Sequence, residues 1–273
     1  MKIIYIINVF LIMIVGSIHG ESSIDENELI HRMVTQYNEM WKDIERVEYD
    51  AELLEGSLDD SGILKVKDRF IKRVIVTVLP DTTLFEEKYI EYYKDGELQD
   101  DDELREEAEK KIERREKSGS RGISWPLLTP FFPDQKEYYK ITYGGISDSL
   151  INGYICYVFH VSSLEEHDQR INGTYFIEKE SLQPVRLDFS PSKLGGGTMF
   201  KLKQLDMTVW SEPAEDGLWL PTRFDIAGKG RAALLVGVSF AGREYYTNPR
   251  VRRRVATQDP NLLSGIEDLS VRD

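Results

Sequence analysis

The chain has 273 residues, with 35 Lys and Arg against 48 Asp and Glu, for a formal net charge of −13. A field of that sign repels phosphate backbones and argues against a nucleic-acid partner unless a basic patch is well segregated. The apolar share of 41% is too high for a disordered chain and too low for an integral membrane protein. One cysteine, Cys156, excludes an internal disulfide framework and any multi-cysteine metal site, and four histidines make a histidine-rich metal centre a poor reading.

Lys2 is followed by an apolar run from Ile3 to Ile18 that ends in small residues, the pattern of a secretory signal peptide. A membrane span needs roughly 20 apolar residues, more than this run holds. Cleavage is expected after Gly20, although Ile18 stands where a smaller residue is usual. No cysteine adjoins that point, so lipid attachment there is chemically excluded. The expected organisation is a signal peptide over 1–20, a single domain over 21–255 with a helical insertion at about 97–133, and a flexible tail over 256–273.

Ser23 and Glu26 have capping-box spacing. Leu29, Ile30, Met33, Val34, Tyr37, Met40, Trp41 and Ile44 follow in steps of three and four, which predicts a helix from about Ile24 to Arg46 with a broad apolar face. Such a face needs a large partner surface, most simply a sheet. Strands are expected from Val47 to Leu53, Ile63 to Leu79 and Leu84 to Tyr93. Further strands are expected near Tyr138–Tyr143, Tyr154–Val161, Gly173–Glu178, Pro184–Ser190, Thr198–Trp210, Leu218–Gly228 and Arg231–Tyr245. Asn152-Gly153, Asn172-Gly173 and Asp216-Gly217 are hairpin signals, so the pairing should be antiparallel. In the Thr198–Trp210 strand the apolar phase changes near Lys203-Gln204, which predicts a β-bulge. Ala232 to Val238 carries apolar or small groups on both faces and reads as a central strand covered on both sides.

Two segments interrupt the strands. Asp100 to Lys117 reads as a charged helix with acids first and bases late, the order the helix dipole favours; Glu106/Lys110 and Glu107/Lys111 are spaced four apart. From Ile123 to Pro133 the chain is apolar but carries Pro126, Pro130 and Pro133, which forbid a regular helix or central strand. The segment is either a loop that covers the core or a lid over a cavity.

No catalytic constellation stands out. His31, His160 and His167 have no partner at ligand or relay spacing, and Cys156 alternates with Tyr154 and Val158 as a buried small residue would. Ser190 to Gly197 is glycine-rich but lacks the Gly-Lys-Ser/Thr ending of a phosphate loop. No metal site, catalytic residue or cofactor is expected. Arg250, Arg252, Arg253 and Arg254 read as a solvated strand end.

Gly173 to Leu187, with its Tyr-hydrophobe, acid, polar turn and Pro-Val-Arg, resembles a hairpin of the outer-membrane lipoprotein-sorting (LolA-like) proteins. Gly217 to Arg223 is similar to their next hairpin, Tyr245 to Val251 resembles their closing strand, and Asp95 to Leu98 is similar to a branch of these exported proteins. The resemblance implies an α+β fold: a strongly curved antiparallel sheet of about ten or eleven strands, an incomplete β-barrel, with helices packed on the concave side. It further implies an apolar cavity that takes up acyl chains. The leading expectation is a periplasmic, non-enzymatic, monomeric protein that handles lipid or lipoprotein acyl chains or an envelope protein partner. Trp41, Trp125, Leu128, Phe131 and Phe132 are the candidate lid or lining of the cavity. A filled-core scaffold is the alternative, and a hydrolase the least supported one.

Overall fold

The structure is a computed structural model that describes residues 25–79, 83–118, 127–195, 200–214, 217–232 and 236–254. The expected signal peptide, the tail over 256–273, and Trp125 with Pro126 lie outside the described residues.

Helix α1 spans Glu26–Trp41 and buries Leu29, Ile30, Met33, Val34 and Tyr37, the stripe expected of it. Its cap is Asp25, whose carboxylate accepts from the N–H groups of Asn27 and Glu28, rather than Ser23. The helix is also shorter than expected, because Ile44 already belongs to strand β1 (Ile44–Leu58). The strands that follow are β2 (Leu64–Val78), β3 (Thr83–Lys94) and the two-residue β4 (Glu97–Leu98). Helix α2 (Asp101–Ser118) then intervenes. After it come β5 (Tyr139–Ile146), β6 (Cys156–Ser163), β7 (Ile171–Glu178), β8 (Pro184–Pro191), β9 (Phe200–Pro213), β10 (Trp219–Ala232) and β11 (Val236–Arg253).

These form one antiparallel sheet of eleven strands in the order β4-β3-β2-β1-β11-β10-β9-β8-β7-β6-β5. Among the described residues the order ends in two edges that do not pair with each other, so the expected strongly curved, incomplete barrel is corrected: the sheet is open, neither closed nor strongly curled. The expected bulge is present, with Lys203 the unpaired residue between Gln204↔Lys229 and Leu202↔Gly230. A bulge bends one strand locally; closure would need matching edges, and β4 has two residues where β5 has eight. Two further readings change. Asn172-Gly173 lies inside β7 rather than at a turn, and Asn172 Oδ1 accepts the Ser163 N–H at 2.8 Å. Ala232 ends β10 instead of entering the last strand, and residues 233–235, on which the expected cover on both sides rests, lie outside the described residues; β11, from Val236, is central in the sheet, between β1 and β10.

The two faces of the sheet differ in kind. On one face Tyr143, Phe159, Tyr175, Leu187, Val209, Phe224, Glu244, Leu53, Phe70 and Tyr92 are successive register partners from β5 to β3. Helix α1 lies on this face and joins two apolar clusters, one over β5–β9 and one over β1, β2 and β11, with Trp41 and Phe224 packed against both. Helix α2 reaches the same row through Lys111, whose ammonium sits 4.4 Å from the Phe70 ring centre and pairs with Glu55 rather than with Glu107. Lys110 takes Glu106 and Glu107 instead, at 2.6 and 2.8 Å.

The opposite face is polar, as a singly covered antiparallel sheet allows. Phe176, Arg186, Trp210, Arg223, Tyr245 and Glu52 are successive partners there. The Arg186 guanidinium stands 4.6 Å from the Trp210 ring, and Arg223 stands 5.9 Å from it on the other side. Asp188 accepts from Arg186 Nε at 2.8 Å and Thr208 Oγ1 at 2.9 Å, and Asp225 accepts from Arg223 Nε at 3.0 Å and Arg243 Nε at 2.7 Å. The terminal arginines are likewise engaged: Arg250 with Asp50 at 2.9 Å, Arg252 with Glu45 at 3.3 Å, and Arg254 with the Val78 carbonyl at 2.7 Å.

One charged group interrupts the helix-facing side. Lys72 on β2 is 1% exposed, and its Nζ lies 2.6 Å from Glu87 on β3 and 2.9 Å from Glu244 on β11. Tyr89 donates to the other Glu87 oxygen at 2.8 Å. Burial works against the ammonium, but the two carboxylates outweigh it and hold Lys72 above the usual lysine value. A raised folded-state pKa means the contribution is fully present below the ordinary lysine range and is lost only as pH rises through the raised value.

Lys72→Met should therefore cost about 3–5 kcal/mol in urea unfolding at pH 7, because two carboxylates stay buried without their cation. The wild type should hold this contribution across the neutral range and lose it only on the alkaline side of lysine titration. A loss under about 1 kcal/mol would mean that water reaches the cluster.

Candidate functional site

The layer between α1 and the sheet holds most of the residues singled out from sequence. Leu128 is fully buried, and Phe131, in a 3-10 turn over Thr129–Phe131, is 2% exposed. The Phe131 ring meets Phe159 edge-on at 5.5 Å and Tyr175 at 5.0 Å. Phe132 is partly buried and meets Tyr37 edge-on at 6.4 Å. Trp41 is half-buried and stacks on Tyr37 at 5.9 Å. The Leu127 N–H donates to the Tyr37 hydroxyl at 3.3 Å, which ties the proline-rich segment to the helix. Tyr37 thus brings Trp41 and Phe132 together, while Leu128 and Phe131 lie deeper, against β6 and β7.

Sequence reasoning missed the other half of this layer. Phe159, Tyr175, Tyr139 and Tyr143 come from strands whose alternation was visible, but their meeting with Phe131 depends on strand order. Tyr49 and Tyr246 form a second ring pair, centres 5.4 Å apart, under the far half of α1. Burial pushes the hydroxyls of Tyr37, Tyr49 and Tyr175 well above the usual tyrosine range; for Tyr37 the Leu127 hydrogen bond offsets part of that, and Tyr49 adds to it. These groups stay neutral at any physiological pH. The layer is therefore apolar, ring-lined and uncharged, with Lys72 and its two glutamates at its margin.

Elsewhere the residues that could carry reaction chemistry are placed for other work. Burial, helped by Glu178, pushes the Cys156 thiol up to about 12, so it is no nucleophile. His31, His160 and His167 are exposed; His160 Nδ1 lies 3.2 Å from Thr174 Oγ1. Ser192 Oγ donates to the His167 carbonyl at 2.9 Å and accepts the His167 N–H at 3.0 Å, pinning one loop to another. Among the described residues no three His, Cys, Asp or Glu side chains are grouped as metal ligands. A cleft of about 570 Å³ lies between the Leu58–Gly62 turn and strands β9 to β11. Three of its polar groups serve the fold: Asp59 accepts from Ser61 N–H and Ile63 N–H, both at 3.0 Å, and Gln204 donates to Asp206.

No family model and no curated protein matches this sequence. Among solved structures, the chain is similar to a domain named for outer membrane lipoprotein sorting from Vibrio parahaemolyticus, at 10% identity and a TM-score of 0.44, over 86% of this chain and 94% of that one. It is also similar to a LolA superfamily protein from Nitrosomonas europaea, at 11% identity and a TM-score of 0.32, over 82% and 93% of the two chains. A MucA/MucB complex from Pseudomonas aeruginosa matches at 10% identity and a TM-score of 0.25, over 83% and 99%. The likeness is one of outline, and function has to be read from this chain's own residues.

Phe131→Ala should cost about 3–5 kcal/mol of stability, since its ring is enclosed by Phe159 and Tyr175. Phe132→Ala, at the margin of the layer, should cost about 1–2 kcal/mol. Equal losses in urea titrations would show that the segment is not inserted with Phe131 inward.

Proposed function

We propose that the protein is exported and non-enzymatic, and that it handles lipid or lipoprotein acyl chains in the cell envelope through the layer beneath α1. The observation that carries this reading is the insertion of the Leu127–Phe132 segment between the helix and an uncharged, aromatic sheet face. Three prolines at 126, 130 and 133 keep the segment from pairing as a strand, and the Leu127–Tyr37 hydrogen bond ties it to the helix. An acyl chain offers the same apolar contact as Leu128 and Phe131 and can take their place, at about 0.8 kcal/mol per buried methylene. Trp41, Leu128, Phe131 and Phe132 would line or gate that space, and Trp125 joins them on sequence grounds. The apolar run at 3–18 supports export, and the protein acts as a monomer in this reading.

A second reading has its own support. Leu128 and Phe131 already fill the layer, at 0% and 2% exposure, which suits a scaffold with a filled core and no ligand. Binding of a pyrene-labelled dodecanoyl methyl ester to folded, lipid-stripped protein separates the two. The carrier reading expects saturable binding, weakened or strengthened at least about tenfold by Phe131→Ala with Phe132→Ala. Absence of binding by the folded wild type, with the double variant merely less stable, selects the scaffold.

A further inference from the structure

On the polar face of the sheet every guanidinium described above has a carboxylate or carbonyl partner. The helix-facing side is different. Tyr49 is 3% exposed and Tyr175 1%, and among the described residues neither hydroxyl has a hydrogen-bond partner. Both belong to the covered face: Tyr49 pairs in register with Val74, and Tyr175 with Phe159 and Leu187. A buried donor left unmade is costly, whereas phenylalanine of the same shape would leave nothing unmet. Phenylalanine is the residue used in the same layer at 131 and 159.

The two hydroxyls define what they can bind. They are neutral donors, and burial keeps them protonated. The cation at the margin, Lys72, is already shared between Glu87 and Glu244. A carboxylate or phosphate entering this layer would lose its hydration without a free counter-charge. A carbonyl oxygen of an ester or amide carries no charge and accepts from a phenolic O–H. We propose that Tyr49 and Tyr175 hold the ester or amide carbonyls of an acylated ligand, so that the layer selects neutral acyl esters or amides over free fatty acids and over plain hydrocarbon. This specificity rests on the acyl-carrier reading above and goes beyond it by naming the polar group recognised.

The test uses the full, lipid-stripped chain with the pyrene ester as the bound probe. Methyl palmitate, palmitic acid at pH 8 and octadecane serve as competitors of similar chain length. The wild type should prefer the ester to both the hydrocarbon and the acid by about tenfold. Tyr49→Phe with Tyr175→Phe should abolish the ester preference, leave displacement by the hydrocarbon unchanged, and leave the melting temperature of the ligand-free protein unchanged or raised. Each single variant, measured alone, should lose part of the preference. Equal displacement by ester and hydrocarbon, a preference for the acid, or an ester preference that survives the double variant would overturn the proposal. So would a melting temperature that falls in the ligand-free variants, since the hydroxyls would then be bonded within the protein itself. Failure of the probe to bind at all would remove the carrier reading and this specificity with it; loss of the ester preference alone would remove only the specificity.

Discussion

Strands β1 and β11 lie near the two ends of the described chain, and among the described residues theirs is the one strand pairing that joins two meanders: β1 to β4 on one side, β5 to β11 on the other. Ile44 pairs with Arg253 across nearly the whole domain, and closing a loop of that length costs about 5 kcal/mol of chain entropy before any contact forms. Eleven register pairs, from Ile44↔Arg253 to Gly56↔Ala241, provide the backbone part of the compensation. The Lys72 cluster supplies a side-chain part that reaches further. Its ammonium leaves β2, crosses β1 and meets Glu244 on β11, and the residue it passes in β1 is Ala51, whose methyl leaves the path open. An ion pair of this kind adds little to net stability compared with apolar packing, but it penalises any other register, because a slipped β11 would take Glu244 away from Lys72.

The rest of the architecture follows from that joined sheet. A surface eleven strands wide cannot be covered on both sides by one substantial apolar helix, so its faces have diverged. One is apolar and takes α1, the Leu127–Phe132 segment and the Lys111 end of α2. The other is laced by guanidinium, indole and carboxylate groups at directly opposed positions, which shield the backbone without offering an apolar patch for aggregation. The open edges are treated unequally as well. β3 presents Glu86, Lys88 and Glu91 along its length and has β4 at one end, while β5 carries Lys140 alone.

Much of this could be read from local pattern. The α1 stripe from Leu29 to Tyr37, the alternation in β1, β8 and β10, and the bulge at Lys203 depend on residues close in sequence, and the structure has them. The turn at Asp95-Gly96 is also local, with φ of 51° and 88° at its two residues. Asn172-Gly173 misled because its glycine answers a cross-strand demand: a Cβ there would stand 2.5 Å from the Asp188 carbonyl oxygen. Sheet curvature failed for a related reason, since closure depends on which edges meet, and nothing in a single strand records that. The candidate layer was half legible. Apolar, proline-broken residues such as Leu128 and Phe131 had to be buried somewhere, but Tyr37 as the hinge between Trp41 and Phe132 emerged only from packing. Lys72 was invisible, because one lysine in a β-rich stretch carries no sign that two glutamates, 15 and 172 positions away, will enclose it.

The seam also divides the chain in a way its covalent order does not suggest. The Asp95-Gly96 turn is exposed and lies between β3 and β4 at one edge of the sheet, outside both apolar clusters. A peptide bond cut there separates α1 and β1–β3 from α2 and all remaining strands, yet removes none of the β1–β11 hydrogen bonds, the Lys72 ion pairs or the α1 packing. The two pieces are each a run of local hairpins, and each displays one half of a charged lock. Such a molecule is a natural split pair: two polypeptides, expressed apart, whose reunion is reported by the burial of Tyr246 and Tyr49 against each other.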